Sequence, residues 1–123
     1  MKLSAAEENL MHHLWALEKA YMKDLLDAYG DPKPAATTVA TLLKRMIDKG
    51  FVSYREYGNS REYYPLVTKN DYSARHVNGL IKTFFNNSAA QFASFFATRA
   101  DLSAQELEAL KNLIDEQIRK KKS

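Results

Sequence analysis

The chain has 123 residues, 46% hydrophobic and 27% charged, a composition that suits one globular domain with or without a small oligomerisation appendage and speaks against disorder. It contains no cysteine, which excludes disulfides, thiolate metal sites and cysteine nucleophiles. The formal charge of +3 is unevenly spread: residues 1–32 carry −3, while residues 33–67 and residues 68–123 each carry +3. No signal-peptide pattern opens the sequence and no apolar run is long enough to span a bilayer, so a soluble, cytoplasmic protein without a membrane partner is expected.

In chain order, Ser4 followed three residues later by Glu7 is a capping box and predicts a helix start. Leu10, Met11, Leu14 and Trp15 form its apolar stripe, which ends near Leu17. A shorter helix is predicted over Tyr21–Tyr29, burying Met22, Leu25, Leu26 and Tyr29, and Gly30-Asp31-Pro32-Lys33-Pro34 ends it. The third helix, about Ala36–Lys49 with Gly50 at its C-terminal cap, places Val39, Leu42, Leu43, Met46 and Ile47 on one face. Its other face carries Thr37, Thr38, Thr41, Lys44, Arg45 and Asp48. Hydroxyls and methyls near a helix start can approach base edges in a major groove, while cations one or two turns later reach phosphates. A solvated amphipathic helix would show the same pattern.

Phe51–Glu56 and Arg61–Leu66 are rich in strand formers, and Tyr57-Gly58-Asn59-Ser60 supplies the turn of a β-hairpin. Its expected anchors on the helices are Phe51, Val52, Tyr64 and Leu66. Three helices and a hairpin in this order make a winged helix-turn-helix over residues 1–67. Beyond it, Thr68 caps a helix reaching Asn86, with Tyr72, Val77, Leu80, Ile81, Phe84 and Phe85 as its apolar positions. A segment from Ser88 to Thr98 concentrates Phe92, Phe95 and Phe96. Ser103 and Glu106 form a second capping box, opening a helix that carries Leu107, Leu110, Leu113, Ile114 and Ile118 and ends in Lys120-Lys121-Lys122. So few residues do not bury five phenylalanines and a leucine stripe by themselves, so residues 68–123 read as a helical dimerisation domain. Leu80, Phe84, Phe85, Phe92, Phe95, Phe96, Leu107, Leu110 and Ile114 are its candidate interface. Folding back on the winged helix within one chain is the alternative. The fold class is therefore mainly α, a winged helix followed by a dimerisation domain.

These elements carry a resemblance. Leu3-Ser4-Ala5-Ala6-Glu7 with Leu14-Trp15, Thr37-Thr38-Val39 with Thr41-Leu42-Leu43 and Arg45, Lys49-Gly50-Phe51-Val52, Tyr64-Pro65-Leu66-Val67 and Asp101-Leu102-Ser103 occur in the order seen in the BlaI/MecI family. That family comprises bacterial repressors of penicillinase and methicillin-resistance genes. The resemblance implies a homodimer that binds a palindromic double-stranded DNA operator, with a sensor or protease that relieves repression. It implies that Thr37, Thr38 and Thr41 lie on the reading helix, with Lys44 and Arg45 toward phosphates and the hairpin around Gly58-Asn59 as the wing. The best-known members are cleaved at an Asn-Phe bond; the corresponding stretch here is Ser94-Phe95-Phe96, so that cleavage is not carried over. The cysteine cluster of copper-responsive relatives is absent, which excludes that mode.

Several candidates have structural alternatives. Thr37 could simply cap the third helix, Arg45 could pair with Asp48 or Glu56, and Arg55 and Arg61, which flank the wing tip, could pair with Glu56 or Glu62 instead of phosphates. The adjacent His12 and His13 point about 100° apart on a helix and cannot share an ion from one face. No metal or cofactor is expected, and no catalytic residue, because phosphate-loop and nucleophile–base motifs are missing. An interaction module that has lost specific DNA binding is the competing function.

Overall fold

A computed structural model describes residues 2–123. Six helices and one hairpin follow in the order α1 (Ala5–Leu17), α2 (Met22–Tyr29), α3 (Ala36–Asp48), β1 (Val52–Tyr57), β2 (Ser60–Pro65), α4 (Lys69–Phe84), α5 (Ala89–Arg99) and α6 (Ala104–Lys122). The chain divides into two compact units, one reaching to His76 and the other spanning Val77–Ser123.

The first unit is a winged helix. Helix α1 begins at the expected capping box: the Ser4 hydroxyl accepts from the Glu7 N–H, and the Glu7 carboxylate accepts from the Ser4 N–H at 2.8 Å. Leu10, Met11 and Leu14 of α1, Leu25 of α2, and Val39, Leu43 and Met46 of α3 are all solvent-excluded and form one core. Helix α3 stops where Gly50 takes φ 81°, which lets the Phe51 N–H reach back to the Met46 carbonyl at 2.8 Å and that of Gly50 to Ile47 at 3.0 Å. This is the glycine-dependent Schellman closure. It turns the chain directly into the hairpin and buries Phe51 under it.

The hairpin is antiparallel, with Tyr57 opposite Ser60, Tyr54 opposite Tyr63 and Val52 opposite Pro65. Gly58 at the first central position of its two-residue turn has φ 62°, as the tight primed turns require. The register corrects two expected anchors. Tyr63 is buried, whereas Tyr64 is half-buried on the opposite face and Leu66 is exposed. Tyr63 lies opposite Tyr54, on the face that also carries Val52, and Tyr64, one residue further on, points to the other face because side chains alternate along a strand. Ala20, in the α1–α2 connection, makes a single antiparallel bridge to the hairpin: it exchanges both backbone hydrogen bonds with Tyr63, at 2.9 and 2.8 Å. The wing is therefore tied to the helices by its backbone as well as its side chains.

Two further contacts close this unit. The Trp15 indole N–H donates to the Val67 carbonyl at 2.8 Å, and the Tyr72 hydroxyl donates to Glu8 at 2.9 Å. Tyr72 is buried in the same core, and the first compact unit ends within α4, at His76.

In the second unit, α5 is capped by Ser88 and α6 by the Ser103–Glu106 capping box. The α4–α5 corner places Asn86 and Asn87 in the left-handed region at φ 53° and 58°, and clusters Phe85 against Phe92 and Phe95 with ring centroids 5.5 and 5.3 Å apart. No residue from Val77 to Ser123 is buried. No helix of the described residues is long and apolar enough to cross a membrane.

Candidate nucleic-acid interface

Helix α3 presents two faces, set by the spacing of its apolar residues. Val39, Leu42, Leu43 and Met46 are buried, while Thr37, Thr38, Ala40, Thr41, Lys44, Arg45 and Asp48 are exposed. Ala35 occupies the N-cap position without a side-chain cap, so the expected alternative role of Thr37 as the cap is not realised. The first-turn amides of α3 lack a side-chain acceptor, and Thr37 and Thr38 stand beside them. Thr41 donates its hydroxyl hydrogen to the Thr37 carbonyl at 2.9 Å. Its oxygen still has an accepting lone pair and its methyl remains exposed, so toward a base edge it acts as an acceptor or an apolar contact.

Charge pairing sorts the cations of residues 33–67. Lys33 is held by Asp27 at 2.6 Å, Lys49 by Glu7 at 2.8 Å, and Arg61 lies 3.9 Å from Glu56. Lys44, Arg45 and Arg55 pair with no carboxylate among the described residues; for Arg45 this disposes of pairing with Asp48 or Glu56. The unneutralised positive charge of this segment therefore lies on the exposed face of α3 and on the wing.

The two wing arginines lie on opposite faces of the hairpin. Arg61 shares the inward face with Tyr54 and sits 4.4 Å over its ring, where the cation is also within reach of Glu56. Arg55 is on the outward face, opposite Glu62 in register but stacked 5.7 Å over Tyr64. Arg55 is the less committed of the two. Gly58 and Asn59 form the exposed tip.

A link unseen in the sequence fixes the orientation of α3. Lys49, which caps its C-terminus, donates to both carboxylate oxygens of Glu7, at 2.9 and 2.8 Å. The Glu7 carboxylate is almost wholly buried, and the Lys49 ammonium with the Ser4 N–H holds its pKa below the ordinary value. One carboxylate thus closes the start of α1 and clamps the end of α3. Sequence spacing gives no signal for it, because the partners lie 42 residues apart.

The histidines do not converge: His12 contacts Trp15 edge-on, His13 lies against Tyr29, where burial lowers its pKa, and His76 stacks on Tyr72. No group of three His, Cys, Asp or Glu side chains able to hold a metal ion occurs among the described residues. The candidate interface residues of the second unit form no single cluster within one chain. Phe85, Phe92, Phe95 and Phe96 pack ring against ring, yet Phe95 and Phe96, like Leu80, Phe84, Leu107, Leu110 and Ile114, remain exposed.

A three-helix core with a β-hairpin wing and an unpaired Thr/Lys/Arg face on the third helix defines a winged helix-turn-helix protein. The model of the penicillinase repressor family matches residues 3–116, and the chain belongs to that family. Among its relatives, the methicillin resistance regulatory protein MecI of Staphylococcus aureus is 24% identical over 115 residues, which cover 93% of this chain and 94% of the relative. The penicillinase repressor of Bacillus licheniformis is 22% identical over 122 residues, 98% of this chain and 95% of the relative. The solution structure of the DNA binding domain of the repressor BlaI shares the fold, with a TM-score of 0.51 at 24% identity over 58% of this chain and 88% of that one.

Proposed function

We propose that this protein is a cytoplasmic, homodimeric transcriptional repressor that binds a palindromic operator in double-stranded DNA and needs neither a cofactor nor a catalytic centre. The observation that carries the reading is the exposed face of α3, where Lys44 and Arg45 are free of carboxylates beside Thr37, Thr38 and Thr41. Family membership supports it. In this reading Thr38 and Thr41, with Thr37, approach base edges, while Lys44, Arg45 and Arg55 contact phosphates, and Arg61 joins them on giving up its exposed 3.9 Å pairing with Glu56. The absence of any buried residue from Val77 onward supports dimerisation: helices with Phe84, Phe95, Leu113 and Ile114 facing solvent gain no core until a second copy covers them. A partner such as a sensor or protease then relieves repression.

The test is selection of bound fragments from genomic DNA by the purified full chain, repeated across salt concentrations. The expected result is one palindromic motif, with half-sites separated by about one helical turn or a multiple of it, and an affinity that falls steeply with salt. A folded dimer that enriches no sequence overturns the reading.

A further inference from the structure

The sole tryptophan of the chain, Trp15, lines an open cleft of about 560 Å³ that the DNA-binding reading does not use. Its walls come from the second half of α1, the end of β2 and the start of α4, all within the first unit. The volume falls in the range of small-molecule sites, roughly 300–1,000 Å³. Its aromatic lining is Trp15, His12 and Tyr64. Trp15 and Tyr64 are half-buried, His12 meets Trp15 edge-on at 5.4 Å, and the Trp15 N–H is already bonded to the Val67 carbonyl at 2.8 Å. The indole is therefore fixed in place and offers a ring surface, not a donor. Glu18 and Lys69 bring opposite charges to the same cleft. They pair neither with each other nor with any other ion among the described residues. Glu18 is also held at φ 69° and ψ −41°, a conformation that glycine adopts far more readily, and such strain concentrates at functional sites. Lys69 opens α4, where the helix dipole disfavours a cation and favours an anion bound beside it.

We propose that this cleft binds a small aromatic zwitterion, of the class of an aromatic amino acid, as an effector that weakens DNA binding. The ligand's ring lies against Trp15 and Tyr64, its ammonium meets Glu18 and its carboxylate meets Lys69. The link to DNA runs through Tyr64, whose ring also carries the Arg55 guanidinium at 5.7 Å. A ligand that draws the Tyr64 ring into the cleft takes that support from Arg55 and loosens its phosphate contact. Binding itself is independent of the DNA-binding reading, whereas the regulatory effect rests on it.

Trp15 makes the test direct, because excitation at the red edge of indole absorption reports on this cleft alone. L-Phenylalanine titrated into the full chain is expected to change the emission saturably, in about the millimolar range. Phenethylamine lacks the carboxylate and phenylpropanoate lacks the ammonium; each is expected to bind roughly fivefold more weakly, the scale of an exposed ion pair. Lys69→Met should bind phenylalanine and phenethylamine equally. Glu18→Gly, which also relieves the backbone strain, should bind phenylalanine and phenylpropanoate equally. In a binding titration with a DNA fragment enriched in the selection above, saturating phenylalanine should lower affinity severalfold, and Arg55→Ala should abolish that response. No saturable change in emission, or equal binding of all three compounds by the parent protein, overturns the site. Saturable binding that leaves DNA affinity unchanged overturns the effector role alone. A folded chain that binds phenylalanine but enriches no DNA overturns the DNA-binding reading, and the effector role with it, and leaves the site standing.

Discussion

The buried link between Glu7 and Lys49 offers a perturbation whose two halves should differ in size. The Glu7 side chain is 4% exposed and that of Lys49 is 29% exposed, so the carboxylate cannot rehydrate when its partner is lost, whereas the ammonium can. Lys49→Met strands a buried negative charge with only the Ser4 N–H to satisfy it; breaking a fully buried pair costs about 3–5 kcal/mol, and the remaining backbone donor brings this to about 2–3. Glu7→Gln removes the charge, but its side-chain oxygen still accepts from Ser4 in the capping box and Lys49 turns to water, for a cost of about 1 kcal/mol. Urea unfolding of the full chain at one fixed protein concentration measures both, since association contributes to apparent stability. The pH dependence gives a second reading. Glu7 has a lowered folded pKa, so its contribution is complete above the unfolded value of 4.5 and is lost as pH falls through the folded value. The deficit of Lys49→Met relative to the parent protein should therefore shrink in acid. If Glu7→Gln proves the more damaging, or the Lys49→Met deficit is unchanged as Glu7 protonates, the buried carboxylate is not what clamps α3.

Arg45→Ala should lower the slope of log affinity against log salt by about 0.9 for each lost phosphate contact, or about 1.8 per dimer, while Lys111→Ala on α6, which removes the same charge, should leave it unchanged in the same binding titration. Thr41→Val keeps the side-chain shape but removes the accepting oxygen, and should shift base preference at one position per half-site without altering that slope, as read by repeating the fragment selection. Leu43→Ala, at a solvent-excluded position beneath the reading face, should cost about 3 kcal/mol in urea unfolding.

Local chemistry was legible in the sequence before any fold was known. Both capping boxes, the apolar face of α3 and the glycine that ends it act within a turn or two of chain, so Ser4 and Glu7, Val39 to Met46, and Gly50 announce themselves. The exposed set from Thr37 to Asp48 follows from the same periodicity, and with it most of the candidate interface. What tertiary structure decided lies in pairings between distant residues. The Ala20 bridge and the pairing of Tyr63 with Tyr54, on the face that carries Val52, select Tyr63 over Tyr64 for the core. Packing draws Tyr72 of α4 into the winged unit, and Glu7 finds Lys49 across 42 residues. Which cations remain free for phosphate is a further consequence: Lys33, Lys49 and Arg61 look as available as Lys44 and Arg45 in sequence, and only the folded chain brings a carboxylate to each of the first three. Helix periods and caps are written in neighbouring residues, whereas strand phase and charge pairing depend on which surfaces meet once the chain has folded.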